Sequence, residues 1–390
     1  MNHRALFAIC AAGLVLRLTY LVVSGSQPLF PDELRFLEEG YSLVKGLGLQ
    51  ADGKLGHDMP LTGLVIAATL FLSGESVFAV KLVMVVISTL TIAVVARLCF
   101  EISKENRSAL IAAAICSIYP FFIFYSARIL SETIFLFFVT LFFWALIRQS
   151  GGAALQGALA GLMHLTRPVF LYFLPIIWAW QYFFLRLPIK NIAFSILIMT
   201  LVISPWIVRN YVVFGEIVIG TASSGHILWE GNNPWNTTGG VSGTFDDTES
   251  WLDVVPGGMS ELAEDEWKKS EAIAFIKEEP TQFLKNGLLK LKRFWSLWPN
   301  TSEYQHWRYK IVSILSFGSV LLLSIVGAVV LKKHRKEVML ILATVGYLSA
   351  LHALILGSIR YRLPLEPLLI VLASITLANL WGRYTLAKGA

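Results

Sequence analysis

The chain has 390 residues, 56% of them hydrophobic and 15% charged, with a formal net charge of +6 from 32 Lys and Arg against 26 Asp and Glu. At a mean hydropathy of +0.65 no aqueous globule has an interior large enough for so much apolar side chain, so the bilayer is the solvent. The positive charge sits in short loops between apolar runs, which excludes a nucleic-acid surface and matches membrane orientation.

Runs long enough to cross a hydrocarbon core of about 30 Å occur near 5–23, 76–98, 108–125, 132–148, 168–185, 190–208, 309–331, 337–357 and 364–381. A shorter tenth run, near 153–166, is required for alternating orientation; Gly157 and Gly161 allow close helix approach there, and Pro168 ends it. The first run carries Arg17 and no small-residue cleavage site, so it reads as a retained helix. Cys10, Cys99 and Cys116 all lie in apolar runs, leaving no disulfide framework and no thiolate metal site. The predicted fold is an all-α polytopic membrane protein of about ten transmembrane helices with a small mixed external region.

With the amino terminus inside, Arg4, Lys104, Arg107, Arg148, Arg186, Lys190, the cluster Lys332 to Lys336, Arg383 and Lys388 are cytoplasmic, as are both termini. Three parts follow: a membrane domain over 1–208 containing an external loop at 24–75, an external region at 209–308, and carboxy-terminal membrane helices over 309–390. The first loop starts with acids and holds a short apolar stretch, Leu61 to Leu72, suited to an interfacial or re-entrant helix. In the second, Glu261 to Lys277 and Thr281 to Trp298 have helical periodicity, separated by Pro280. Loops this long are usually functional.

Five arginines, Arg128, Arg167, Arg209, Arg360 and Arg362, fall at outer helix ends, where positive charge is not favoured. Any one of them fits simple snorkelling to headgroups. Five on one face suit a lipid phosphate, which guanidinium groups bind through a planar fork of charge-assisted hydrogen bonds. Asp32 and Glu33 follow Pro31 at the start of an external helix, and Glu132 and Glu366 begin membrane helices. Helix capping accounts for acids in such places; facing the arginines, they also describe a transfer reaction in which one carboxylate deprotonates an incoming hydroxyl. No nucleophile elbow, Walker loop or Rossmann glycine fingerprint is present.

The segments Pro31-Asp32-Glu33, His57-Asp58-Met59-Pro60-Leu61, Tyr125 to Glu132, Leu165-Thr166-Arg167-Pro168, Pro205 to Asn210, Gly231-Asn232-Asn233-Pro234 and Arg360 to Pro364 occur in this order. Together they resemble the GT-C superfamily of membrane glycosyltransferases, in particular its family-39-like and aminoarabinose-transferase-like members, over nearly the whole chain. The resemblance implies a polyprenyl-phosphate-linked sugar donor and a glycan, lipid or protein acceptor. It implies a site facing the exterior of a bacterial cytoplasmic membrane, with Asp32 as base and Glu33 in support; Glu132, at the start of its span, remains a further catalytic candidate by position. His57, Asp58, Arg128, Arg167, Arg209, Asn232, Asn233, Arg360 and Arg362 become substrate-binding candidates. His57-Asp58 stands where the aminoarabinose transferases carry a Glu-Lys pair, and Met59 replaces a proline, so the resemblance points to another sugar or acceptor. On this reading the last span is expected to close the fold, where some relatives continue into a soluble carboxy-terminal domain.

External His57, His226 and His306, with Asp58 or Asp246, offer a divalent-metal site, but their spacings match no ligand motif and no cofactor is assigned. The acidic stretch Asp246, Asp247, Glu249, Asp253 reads as a solvated loop, Asn232-Asn233 as a turn, and Trp229, Trp235 and Trp251 as interfacial aromatics. A transporter would need ionisable groups near the midplane, where only Arg17 and His352 qualify. A lipid-linked glycan polymerase or ligase shares the arginine set but leaves Asp32-Glu33 without a task.

Overall fold

The computed structural model describes residues 1–24, 27–149, 151–236, 238–239, 255–301 and 304–388. Asp246, Asp247, Glu249, Trp251 and Asp253 lie outside the described residues. Seven helices among the described residues are long and apolar enough to cross a membrane: α1 (His3–Ser24), α4 (Val77–Ser103), α7 (Ser131–Arg148), α10 (Ile189–Phe214), α14 (Trp307–Val330), α15 (Lys332–Leu354) and α16 (Ile359–Gly382). The pair α5 (Asn106–Ile118) and α6 (Pro120–Ser126), bent by 54°, makes an eighth if taken as one span. The protein is a multi-pass membrane protein.

The two remaining runs of the expected ten are shorter elements. They are α8 (Gly152–Thr166) and the piece Pro168–Phe184, which Pro168 starts as a tight 3-10 turn before it relaxes into α9 (Leu174–Phe184). Helix α8 packs closely on α10 because Gly157 and Gly161 face its backbone and Val202 with no room for a Cβ. Helix α4 is a central post against α1, α5 and α7, and α16 packs against α5, α4 and α14.

Proline and capping residues set the boundaries. Pro31, Pro60, Pro120 and Pro280 open helices where the missing N–H has no partner to lose. Ser76 and Ser260 cap α4 and α12 (Glu261–Glu278). Gly74, at φ 66°, ends α3 (Pro60–Ser73).

Arg17 shows how the membrane region tolerates a charge. Pro120 cannot donate to the carbonyl of Cys116 four residues earlier. The fully buried Arg17 donates instead to Cys116 O at 3.2 Å, Ser117 O at 3.0 Å and Gly13 O at 3.0 Å, with Nε on Ser88 Oγ at 2.8 Å. It repairs a kink, as backbone at membrane depth requires.

Between the spans lie α2 (Pro31–Val44), α3, α11 (Ser224–Gly231), α12 and α13 (Pro280–Phe294). In place of the expected mixed external region, the described residues show helices and turns with one isolated bridge, Ala51 to Lys54. Lys54 Nζ to Glu264 at 3.3 Å and the amides of Leu55 and Gly56 on Glu261, at 2.7 and 2.9 Å, fasten this loop to α12.

Candidate active site

Consecutive residues on a helix diverge by about 100°, and α2 separates its two acids accordingly. Glu33 turns inward and is fully buried, accepting from Phe30 N at 3.0 Å, Ile129 N at 2.9 Å and Arg128 at 3.3 Å. Asp32 turns out, onto the wall of a cavity of about 2200 Å³.

There Asp32 is clamped by two guanidinium groups. Arg35, one turn along α2, donates to Oδ1 at 3.0 Å, and Arg360, from the start of α16, donates to Oδ2. Arg35 also holds Asp58 at 2.6 Å. Arg360 continues to Glu132, which also accepts from Arg167 at 2.7 Å, and Arg167 reaches Ser131 Oγ at 2.9 Å. The result is an alternating chain, Asp58–Arg35–Asp32–Arg360–Glu132–Arg167, drawn from five parts of the sequence. Burial works against the charge of Asp32, but Arg360 and Arg35 overcome it and hold the carboxyl well below the usual carboxylate range. Arg35 is raised in turn, Asp58 and Asp32 outweighing its desolvation.

The cavity has two characters. Asp32, Arg35, His57, Asp58, Glu230 and Arg360 line one part; Ile118, Phe121, Phe124, Val169, Leu171 and Val312, from the membrane helices and their ends, line another. Burial lowers His57 and brings His226 down to about 3, with Lys268 and His57 adding to the latter, so both imidazoles are neutral at physiological pH. Their rings lie 6.2 Å apart between centroids. His306 instead caps α14 through the Arg308 amide at 3.4 Å. Among the described residues no three His, Cys, Asp or Glu side chains converge on one point.

Of the residues singled out in the sequence, Asp32, His57, Asp58, Arg167 and Arg360 line the cavity, with Glu132 bonded directly behind the two arginines. Others go elsewhere. Arg128 is buried between the rings of Phe30 and Phe124, at 4.2 and 5.0 Å from their centroids, and holds Glu33 and Gln27. Arg209 stacks on Trp206 and donates to Leu49 O at 3.0 Å, anchoring the first loop. Asn232 and Asn233 are buried and engaged with backbone: Asn232 bonds Leu228 O and Leu354 O, both at 2.8 Å, and Asn233 Oδ1 accepts from Trp235 N and Asn236 N in an Asx-type turn.

Arg362 also departs from expectation. Pro364 favours an extended segment in which Arg360 and Arg362 face one side, yet Ile359–Arg362 is a helical turn capped by Ser358, and Leu363 is helical at φ −45°, ψ −40°. Two residues on a helix diverge by about 200°, so Arg362 points away from the cavity. It is fully buried against Phe317, with bonds to Glu366 at 3.0 Å, Phe294 O at 3.1 Å and Ser296 O at 2.7 Å. These tertiary bonds override the local bias.

Sequence reasoning missed Arg35 and Glu230. Arg35 had a signal, since an acid and an arginine three apart face each other on a helix. Glu230 is a single acid in a turn-rich segment and had none.

No family model matches the sequence, and no curated protein matches it. Solved structures do. The apo oligosaccharyltransferase of Archaeoglobus fulgidus aligns with TM-score 0.61 at 14% identity, over 100% of this chain and 52% of that one. The same archaeal enzyme with an inhibitory peptide and a dolichol-phosphate aligns with TM-score 0.55 at 14% identity, over 98% and 51%. The chain shares the fold of the part of this archaeal oligosaccharyltransferase that it covers. ArnT from Cupriavidus metallidurans bound to undecaprenyl phosphate gives TM-score 0.47 at 12% identity, over 97% of this chain and 78% of that one. The chain spans about half the length of the archaeal oligosaccharyltransferase.

Proposed function

We propose that this protein is a membrane glycosyltransferase that moves a sugar from a polyprenyl-phosphate-linked donor to a hydroxyl of a glycan, lipid or protein acceptor, at the outer face of a bacterial cytoplasmic membrane. The observation that carries the reading is the Asp32–Arg360–Glu132–Arg167 chain on the wall of a cavity that is elsewhere apolar and framed by membrane helices. A polyprenyl phosphate has those two characters: an apolar tail and an anion that a planar guanidinium holds through two bonds. The GT-C resemblance, and a neighbour of this fold solved with dolichol-phosphate, support the same ligand class.

The proposed reaction is a single inverting displacement. The acceptor oxygen bonds to the anomeric carbon as the bond from that carbon to the phosphate oxygen breaks, its electron pair leaving with the phosphate. Arg360 and Arg167 stabilise the departing phosphate. Asp32 receives the acceptor hydroxyl; held ionised by its arginines, it gains proton affinity as Arg360 shifts its bonding towards the phosphate.

A transporter reading loses one of the two ionisable groups it could call on, because buried Arg17 is occupied by four protein bonds, two of them to carbonyls at the α5–α6 kink. The test is transfer from a labelled undecaprenyl-phosphate sugar by purified protein in nanodiscs. Binding of the lipid phosphate without any transfer would sink the enzyme reading.

A further inference from the structure

Asp32 has a weakness as the final holder of a proton: both of its oxygens are engaged by guanidinium groups. The same cavity presents a second carboxylate with no such engagement. Glu230, near the end of α11, lines the wall, and its carboxylate has no hydrogen-bond or ion-pair partner among the described residues.

Its backbone is nonetheless tightly held. Glu230 O accepts from Asn236 Nδ2 at 2.6 Å and from Asn233 Nδ2 at 3.3 Å. Its neighbour Trp229 is buried among Trp235 and Trp267, at 6.3 and 6.0 Å between ring centroids. Two residues on, Asn232 is pinned by Lys290 at 2.8 Å. A partly buried, unpaired carboxylate on a rigid support is costly to stability and does no packing that a neutral residue could not do. That combination belongs to a group kept for a ligand.

We propose that Glu230 is a second catalytic carboxylate of this site and the final acceptor of the proton released by the acceptor hydroxyl. The inference rests on the glycosyl-transfer reading and deepens it. In the balanced step, the O–H bond of the acceptor breaks and its electron pair forms the bond to the anomeric carbon. The carbon–phosphate oxygen bond breaks, that pair leaves with the phosphate, and the proton ends on Glu230. Asp32 takes the proton in the displacement, as Arg360 turns towards the phosphate, and gives it up to Glu230.

The electrostatics agree with this division. Burial raises Glu230 to about 7, the Asp32 charge adds to the rise, and Lys268 from α12 and Arg35 from α2 oppose it; the Tyr361 phenol also feels its charge. A base is most effective with a pKa near the working pH. Asp32 is ionised at every working pH and a poor proton holder; Glu230 is near balance.

The test follows single-turnover transfer from a labelled undecaprenyl-phosphate sugar across pH 5 to 9, with undecaprenyl phosphate binding measured in parallel. Wild-type transfer should rise with pH through a limb near 7. Glu230→Gln should remove the limb and lower the plateau by about 100-fold to 10,000-fold, with lipid binding unchanged, while Glu230→Asp should restore part of the rate. A Gln variant that keeps the wild-type rate and pH profile overturns the proposal and leaves the transferase reading standing. Wild type that binds the lipid but transfers nothing overturns both. Infrared spectra of wild type need neither variant nor turnover: a protonated carboxyl band that disappears near pH 7 supports the assignment, and no band titrating between pH 5 and 9 overturns it.

Discussion

Arg360 and Asp32 are 328 residues apart in the sequence and form one ion pair, guanidinium Nη1 on carboxylate Oδ2. The pair joins the first turn of α16 to the first turn of α2, so the carboxylate and the arginine proposed for the leaving phosphate are positioned by one contact. Arg360→Ala should weaken undecaprenyl phosphate binding by the value of one or two charge-assisted bonds, about 1.5–3 kcal/mol each. The folded protein should persist, because Asp32 keeps Arg35 and Glu132 keeps Arg167.

Arg362→Ala should behave differently. Its removal leaves Glu366, also fully buried, without its guanidinium partner and strips two carbonyls of theirs. Breaking one side of a buried pair costs about 3–5 kcal/mol, so folded yield and melting temperature in detergent should fall. Selective loss of lipid binding at normal stability would place Arg362 back in the cavity.

Glu33 and Glu132 are separable in the same way. Glu33→Gln should lower stability with little effect on the chemical step of the protein that folds, since Glu33 joins α2 to the Arg128 segment through two bonds and closes the start of its own helix on Phe30 N with a third. Glu132→Gln should loosen both Arg167 and Arg360 and reduce donor affinity along with rate. Saturating donor kinetics distinguish the two, and a Glu33→Gln enzyme that folds normally but is inactive would contradict the assignment.

Lys290 predicts a pH-dependent stability. Its ammonium is buried on Asn232 Oδ1 at 2.8 Å and Leu354 O at 3.1 Å, and burial alone lowers it from an ordinary 10.5 to about 7. Between those values the unfolded chain binds a proton that the folded protein lacks, so stability rises with pH across that window and is lowest and flat below it. Lys290→Met should remove the slope. Melting curves at pH 6.5 and 9.5 measure it; identical wild-type and variant slopes would contradict the burial of a titrating amine.

Orientation is tested by an impermeant thiol reagent on intact cells. Cysteine at the exposed position of Glu266, on α12, should label, and cysteine at Arg335 should not. The reverse result would put the cavity on the cytoplasmic side.

The fold was legible where a single physical rule governs it. Runs such as 77–103 and 189–214 must span because nothing else hides them, and Pro31 and Pro60 mark helix starts without tertiary help. Length failed at 168–185, where Pro168 starts a 3-10 turn and leaves a short helix in place of a full span, while the close packing of α8 that Gly157 and Gly161 announce is present. At the site, Asp32, Arg167 and Arg360 could be found because charge at a membrane boundary demands a partner. Direction could not be found. Whether an arginine turns to the cavity or to a carbonyl depends on contacts such as Arg362 with Phe294 O, which no spacing encodes. Glu230 stayed hidden for the opposite reason, since its interest lies in a carboxylate lacking a partner among the described residues.

The central claim is that a polyprenyl-phosphate sugar reacts beside Asp32. Its most direct measurement is single-turnover transfer from a labelled undecaprenyl-phosphate sugar by wild type and Asp32→Asn in nanodiscs, with lipid binding followed on the same samples. The account predicts transfer by wild type, a loss of about 100-fold to 10,000-fold in the variant, and undiminished binding in both. Normal turnover by Asp32→Asn, or folded wild-type protein that neither binds undecaprenyl phosphate nor transfers its sugar, would contradict it.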